Sequence, residues 1–183
     1  VLTNAAGTRA VVGYIAGDPG KKPISRVVLC DLDAGKALGS GSVPGAYVPL
    51  ALNDAGDQVL VRTDDFGQHG TLELWRLEKT GVKKAEIWTH YAGGNGADGN
   101  DKDVRWAAFL DAKRFATVSE GGKLVVWKLD PLEPVFTLGL QGGCNPALSP
   151  DRKLLAFTTG KEIGVLDTAE GDVLAVQPAP FPN

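Results

Sequence analysis

The chain of 183 residues contains no methionine, only two cysteines and two histidines, and no long apolar run. No stretch approaches the ~18 apolar residues that a membrane-spanning helix needs. The net charge of -3 gives no indication of nucleic acid or anionic lipid as a partner. Because a primary translation product begins with methionine and the first residues lack a signal-peptide pattern, we expect a processed or excised piece of a longer protein.

The two cysteines, Cys30 and Cys144, are too few for a disulfide framework. Neither lies in a C-x-x-C or C-x-x-C-H pattern, so the sequence predicts neither a metal site nor haem attachment. A free cysteine packs as a small apolar side chain. We therefore expect Cys30 to be largely buried and unpaired, and we expect no cofactor.

The residues that are abundant indicate short strands. The chain is 43% hydrophobic and carries 24 Gly and 11 Pro, a composition typical of a soluble, turn-rich domain. No long segment keeps a 3.6-residue apolar period between helix breakers. These features predict an all-β protein.

One apolar segment occurs four times, each time just before a turn. The copies read RVVLCDLDAGK, TLELWRLEKTG, KLVVWKLDPLE and EIGVLDTAEGD, and Cys30, Trp75, Trp127 and Leu166 occupy the same place in them. These positions are separated by 45, 52 and 39 residues. Such separations lie near the ~40–45 residues of a four-stranded propeller blade.

A matching pair of strands around a tight turn precedes each copy. The turns read TNAAGT, NDAGD, LDAKR and SPDRK, and Val-, Leu- and Phe-rich segments follow them. Each unit therefore has four strands, a to d. In the third unit we predict strand a at Arg105–Phe109, b at Arg114–Ser119, c at Lys123–Leu129 and d near Val135–Leu138.

These units resemble the repeats of WD-repeat β-propellers. The segment FLDAKRFATVSEGGKLVVWKL carries the resemblance best, while SPDRKLLAFTTGKEIGVLDTAEGD is equally similar to YVTN and TolB-type propeller repeats. The Gly-His before strand a is absent. The closing Trp-Asp is replaced by Cys30-Asp31, Trp75-Arg76, Trp127-Lys128 and Leu166-Asp167.

The resemblance implies an all-β β-propeller of about four four-stranded antiparallel blades that belongs to a larger ring. The expected propeller segment is 1–176, with blades at 1–45, 46–103, 104–144 and 145–176, and 177–183 is a Pro-rich tail or linker. Because an open arc leaves two apolar faces bare, we expect the first and fourth units to be covered by the rest of the same chain or by a second copy. A β-sandwich and a closed barrel remain the alternatives.

All three long insertions are expected at one end of the blades. In antiparallel strands the b–c and d–a connections share an end, and the long connections hold Asp18 to Lys22, Asp64 to His69 and Asp98 to Asp103. Loops on one face of a rigid scaffold commonly bind partners. The predicted partner-binding residues are Asp18, Lys21, Lys22, Asp64, Asp65, Phe66, His69, Asp98, Asn100, Asp101 and Asp103.

Two chemical alternatives concern these loops. Asp98, Asn100, Asp101 and Asp103 offer oxygen ligands for Ca²⁺, but their spacing departs from an EF-hand loop, and a solvated turn is the alternative that we adopt. His69 beside acidic residues could act as a base or a metal ligand. Because no nucleophile motif accompanies it, we interpret it as a surface histidine.

The four tryptophans are interpreted mainly as structural residues. We expect Trp75 and Trp127 on strand c to lie in the core and Trp88 on an outer strand to be partly buried. Trp106 on strand a could face either a central channel or the core.

The functional hypothesis is a non-enzymatic protein-interaction scaffold that binds through the face with the long loops. The partner is an unidentified protein, without nucleic acid or membrane insertion. The alternatives are an enzymatic or cofactor-bearing propeller, and a sensor or ligand-binding domain of a larger enzyme or membrane-associated protein.

Overall fold

The computed structural model describes residues 1–17, 22–63, 72–78, 81–88 (backbone only for 84–88), 104–140, 146–159 and 161–179. In these ranges every regular element is a β-strand, so the predicted all-β class is confirmed. The chain divides into two compact units, Val1–His90 and Tyr91–Asn183. Each unit contains two four-stranded antiparallel sheets whose strands follow one another in chain order.

The first unit holds sheets 1 and 2. The strands of sheet 1 are β1 (Leu2–Thr3), β2 (Arg9–Ala16), β3 (Ile24–Asp31) and β4 (Lys36–Pro44). Those of sheet 2 are β5 (Tyr47–Leu52), β6 (Gln58–Thr63), β7 (Leu72–Glu78) and β8 (Gly81–Trp88).

The second unit holds sheets 3 and 4. The strands of sheet 3 are β9 (Val104–Phe109), β10 (Arg114–Ser119), β11 (Lys123–Leu129) and β12 (Leu132–Gly139). Those of sheet 4 are β13 (Ala147–Leu148), β14 (Leu154–Thr158), β15 (Glu162–Asp167) and β16 (Val173–Pro178). The bounds of β10 and β11 agree with those predicted from the sequence. Strand β16 ends at Pro178, so it extends two residues into the segment 177–183 that we expected to be a tail.

The strand register confirms that the four sheets repeat one pattern. The four equivalent third-strand residues each face the second residue of the preceding strand, in the pairs Cys30 with Ala10, Trp75 with Val59, Trp127 with Phe115 and Leu166 with Leu155. The pairing with the fourth strand also shifts by one residue directly before this position in every sheet. Such a bulge bends and twists the outer strand at a fixed place.

The turns between first and second strands also repeat. Asn4 Oδ1 accepts hydrogen bonds from the Thr8 and Arg9 N–H groups, both at 2.9 Å. Asn53 Oδ1 accepts in the same way from the two residues that close its own turn. The Asn at the start of each of these turns therefore supplies a side-chain acceptor for backbone N–H groups that have no backbone acceptor within the turn.

Each sheet has two faces that we name by the repeat. The leading face is the one on which the repeated third-strand residue lies, and the trailing face is the opposite one. That residue is Cys30 in sheet 1, Trp75 in sheet 2, Trp127 in sheet 3 and Leu166 in sheet 4. In the first unit, Val59, Val61 and Trp75 on the leading face of sheet 2 form one core cluster with Val11 and Val27 on the trailing face of sheet 1.

The second unit uses the same arrangement. Leu155 and Leu166 on the leading face of sheet 4 pack with Ala116, Val118 and Val126 on the trailing face of sheet 3. Burial of these interlocking aliphatic side chains is the main stabilising contribution within each unit.

This arrangement corrects the expectation for Cys30. The thiol is free, as expected, but the residue is only half-buried, whereas the equivalent Trp75 and Leu166 are fully buried. In the first unit sheet 2 covers the trailing face of sheet 1, and Cys30 lies on the leading face, which remains exposed. Trp127 likewise is only partly buried, although we had assigned it to the core.

Candidate binding site

Most of the predicted partner-binding residues lie outside the described ranges. These are Asp18, Lys21, Asp64, Asp65, Phe66, His69, Asp98, Asn100, Asp101 and Asp103. His90, Cys144 and the Trp88 side chain also lie outside them, so their predicted environments stay predictions. Lys22 is described, and it is exposed just before β3.

Lys22 lies at what we call the loop end of sheet 1. The antiparallel order places the β2–β3 and β4–β5 connections at this end and the 4–8 and 32–35 turns at the opposite end, the turn end. In sheet 2 the same order places Tyr47 and Thr63, which pair with each other, at the corresponding end. These positions converge within the first unit.

A cleft of about 370 Å³ opens at the loop end. Its described lining is Lys22, Pro23, Pro44, Gly45, Ala46, Tyr47 and Thr63. Pro23, Pro44 and Ala46 contribute apolar surface to this wall, and Lys22, Tyr47 and Thr63 contribute polar groups. An apolar concave surface with a few polar groups is the usual composition of a binding site.

Ser25 fixes the wall of the cleft. Its buried hydroxyl donates a hydrogen bond to the Gly45 carbonyl at 2.9 Å and accepts one from the Tyr47 N–H at 2.8 Å. The Gly45 N–H in turn donates to the Pro23 carbonyl at 2.8 Å. One side chain therefore holds the start of β3 against the β4–β5 connection.

Gly45 is required by the position of Tyr47. Its φ of 113° is a conformation that L side chains rarely adopt. A Cβ atom there would lie 2.9 Å from Cε2 of the Tyr47 ring. The absent side chain therefore lets the aromatic ring lie directly over the backbone at the cleft wall.

Tyr47 connects the cleft to a buried polar group in the core. Its ring meets Trp75 edge-on, with the centroids 4.8 Å apart. Glu73 is 3% exposed, and its carboxylate accepts hydrogen bonds from Trp75 Nε1 at 2.6 Å and from the Tyr47 hydroxyl at 3.4 Å. A buried carboxylate needs such donors, and together these groups restrain the Tyr47 ring.

The indole at the equivalent position of sheet 3 has a different acceptor. Trp127 Nε1 donates to Thr117 Oγ1 on β10 at 3.0 Å. In sheet 2 the register equivalent of Thr117 is Val61, which has no acceptor, and Glu73 supplies one from β7 instead. The repeat keeps the indole hydrogen bond while changing the residue that accepts it.

The described carboxylates with lowered pKa values lie in turns of the turn end. The Ala34 N–H, together with Arg9 at 2.8 Å, lowers the pKa of Asp31. Hydrogen bonds from the Ser149 hydroxyl and the Lys153 N–H lower the pKa of Asp151. These acids stabilise turns, and neither lines the cleft.

Asp111 occupies a comparable turn in sheet 3. Burial opposes its ionisation, but hydrogen bonds from the Lys113 N–H and the Arg114 side chain lower its pKa overall. The described residues hold no cluster of three or more His, Cys, Asp or Glu side chains that could bind a metal. Within those residues no helix is long and apolar enough to cross a membrane.

No protein-family model matches the chain, and no curated protein sequence matches it. The site must therefore be interpreted from its own chemistry. Lys22 was among the residues predicted from the sequence, whereas Ser25, Gly45 and Tyr47 were not. The signal for them was the Pro44-Gly45 pair followed by an aromatic residue, which marks a tight connection between two sheets.

Proposed function

We propose that this chain is a non-enzymatic, WD-repeat-like β-propeller segment that acts as a protein-interaction scaffold through its loop end. The observation that carries the proposal is the cleft beside Tyr47, which lies at the end from which the longest connections leave the sheets. Recessed apolar surface next to long connections suits the capture of a peptide segment.

The rigidity of the cleft supports a binding role. The buried Ser25 hydroxyl is hydrogen-bonded to the backbone of Gly45 and of Tyr47. The buried Glu73 carboxylate accepts hydrogen bonds from the Trp75 indole and the Tyr47 hydroxyl. A preformed site loses less conformational entropy when a partner binds. The core of the first unit therefore serves as the support for this surface.

The chemistry of the cleft favours binding over catalysis. Its described lining contains one cation, Lys22, and two hydroxyl groups, those of Tyr47 and Thr63, but no carboxylate, thiol or imidazole. The side chains that most often act as general acids and bases, those of His, Asp and Glu, are therefore absent from this described lining. The positive charge of the lining residue Lys22 suits a partner segment that carries a carboxylate beside apolar side chains.

Site-specific crosslinking tests the proposal. We would place the photo-crosslinker p-benzoyl-phenylalanine at Lys22 and, as a matched control, at Lys36, another exposed lysine of the same sheet but at the turn end. Illumination in extract of the source cells is expected to give a discrete protein adduct from position 22 and none from position 36. Equal adducts from both positions, or none from position 22, would contradict the proposal.

A competition step links any adduct to the cleft. Pro44 is an exposed lining residue, and Pro44→Trp is expected to fill part of the cleft and abolish the adduct from position 22. Leu32→Trp places the same side chain at an exposed position of the turn end and should leave the adduct unchanged.

A sensor or small-ligand domain is the second candidate, and the cleft volume favours it. About 370 Å³ falls within the range of small-molecule sites. Ligand-observed NMR with a fragment library distinguishes the two candidates. Fragments displaced by Pro44→Trp, together with no protein adduct, would favour the sensor.

A further inference from the structure

The backbone N–H groups of the cleft wall are largely absent or already bonded. Pro23 and Pro44 have no N–H group. The Gly45 N–H donates to the Pro23 carbonyl at 2.8 Å. The Tyr47 N–H donates to the Ser25 hydroxyl, also at 2.8 Å. The wall therefore presents side chains to a partner rather than a row of backbone donors.

This arrangement disfavours a partner that adds a β-strand at the cleft. An added strand bonds to the backbone groups of every second residue along an edge. In the segment 44–47 one such set is Gly45 and Tyr47, whose N–H groups are already bonded. The other set is Pro44 and Ala46, and Pro44 has no N–H group to donate. Neither set can supply a continuous ladder, so the contact must be made by side chains.

The size of the cleft disfavours a helical partner. A single helical turn, about 10 Å across and about 5.4 Å long, occupies about 420 Å³, whereas the cleft has a volume of about 370 Å³. Amphipathic helices bind grooves through anchor residues spread over about two turns. An extended segment of a few residues is therefore the better match.

The side chains of the wall suit a segment in the polyproline II conformation. Pro23, Pro44 and Ala46 lose no rotamer freedom when a partner covers them. The Tyr47 ring is restrained by its edge-on contact with Trp75, with the centroids 4.8 Å apart. Proline-rich segments bind aromatic-lined surfaces of this kind because they need no internal hydrogen bonds and are ordered before they bind.

We propose that the cleft binds a proline-rich polyproline II segment of a partner protein that carries a carboxylate beside its prolines. The proposal rests on the proposed function, which it narrows to one class of partner segment. The prolines of the partner contact the Tyr47 ring and the two prolines of the wall. The carboxylate lies beside Lys22, which is exposed directly before Pro23.

Fluorescence anisotropy with synthetic peptides tests the class of partner. The probe is a fluorescein-labelled PPEPPP peptide, and the controls are AAEAAA, without proline, and PPKPPP, with the charge reversed. The wild-type chain is expected to bind PPEPPP about tenfold more tightly than AAEAAA and about fivefold more tightly than PPKPPP. Equal binding of PPEPPP and AAEAAA, or no binding of PPEPPP at about millimolar protein, would overturn the proposal.

A charge exchange tests the contact with Lys22. Lys22→Glu should bind PPKPPP about fivefold more tightly than PPEPPP, which reverses the order of the wild-type chain. Lys36→Glu is the matched control, because Lys36 is an exposed lysine of the same sheet at the turn end, and it should keep the wild-type order. Circular dichroism checks that both variants are folded. An order that Lys22→Glu leaves unchanged would contradict the proposal.

Mapping the crosslinked segment separates this proposal from the proposed function. Mass spectrometry of the adduct from position 22 is expected to identify a segment that contains prolines and an acidic residue. An adduct on a segment without prolines would overturn the class of partner and leave the interaction scaffold in place. The absence of any adduct from position 22 would contradict the proposed function and this proposal with it.

Discussion

Moving the hydrogen-bond acceptor of Trp75 from one strand to another tests whether the sheets are true structural copies. In sheet 2 the indole N–H donates to Glu73 on β7, and in sheet 3 the equivalent indole donates to Thr117 on β10. Val61 occupies the position of Thr117 in sheet 2. The double variant Glu73→Val with Val61→Thr therefore grafts the arrangement of sheet 3 onto sheet 2.

The expected magnitudes follow from burial. Trp75 and Val61 are both essentially inaccessible to water. Glu73→Val removes the hydrogen bond between the indole N–H and the carboxylate and should lower the free energy of unfolding by about 2 kcal/mol. Val61→Thr alone buries a hydroxyl beside an indole that already has an acceptor, at a cost of about 1–2 kcal/mol.

The two substitutions together should be coupled favourably by about 1–2 kcal/mol, because the new hydroxyl accepts the indole hydrogen bond. Other contacts of Glu73 are lost both with and without Val61→Thr, so they cancel in the double-mutant cycle. Urea unfolding followed by circular dichroism and tryptophan fluorescence gives the four free energies.

A parallel cycle with Trp75→Phe provides the control. Phenylalanine has no indole N–H, so the favourable coupling should disappear. Additive effects of Glu73→Val and Val61→Thr within about 0.5 kcal/mol in the wild-type background would refute the structural equivalence of Val61 and Thr117.

Three further predictions concern the repeat position, the cleft and acid stability. Leu166→Ala removes a fully buried side chain and should cost about 3 kcal/mol in urea unfolding, whereas Cys30→Ala at the equivalent half-buried position should cost about 1 kcal/mol or less. Gly45→Ala should cost about 2–3 kcal/mol in thermal unfolding, because the backbone conformation is strained for alanine and the new methyl group meets the Tyr47 ring. The pKa of Asp31 in the folded chain lies below its ordinary value of 3.8, so its ionised form stabilises the fold above that pH and this contribution is lost as the pH falls through the folded pKa. Asp31→Asn should therefore flatten the decline of stability below about pH 4, measured by urea unfolding at several pH values.

Each of these predictions has a distinct contrary result. Equal losses from Leu166→Ala and Cys30→Ala would mean that the leading face of sheet 1 is covered. Gly7→Ala is the control for Gly45→Ala, since the φ of Gly7 is 68° and no atom lies within 4 Å of the new Cβ. If both substitutions lower the free energy of unfolding equally, contact with the Tyr47 ring does not contribute to the cost at Gly45. An unchanged acid profile for Asp31→Asn would show that the pKa of Asp31 does not differ between the folded and unfolded chains.

The repeated sheets could be predicted from the sequence because their signals are local. Alternating apolar residues specify strands, and Asn4 and Asn53 specify turns whose hydrogen bonds span only a few residues. The positions of Cys30 and Trp75 were therefore matched correctly before their register was known.

Burial at the repeat position could not be predicted in the same way. The sequence places Cys30 and Leu166 at equivalent positions, but burial depends on whether another sheet covers that face. Leu166 is fully buried within its unit, while the face that carries Cys30 is open. A local pattern does not specify which sheet lies next to it.

The cleft required tertiary contacts between distant segments. Composition and loop length indicated the end of the sheets where Lys22 lies. They did not indicate that Ser25, twenty residues from Gly45, would hold that connection in place or that Glu73 would accept a hydrogen bond from Tyr47. The sequence determined strands, turns and the repeat through short-range pattern, while packing between sheets decided which faces are buried and where a binding surface forms, because those depend on side chains brought together across long chain separations.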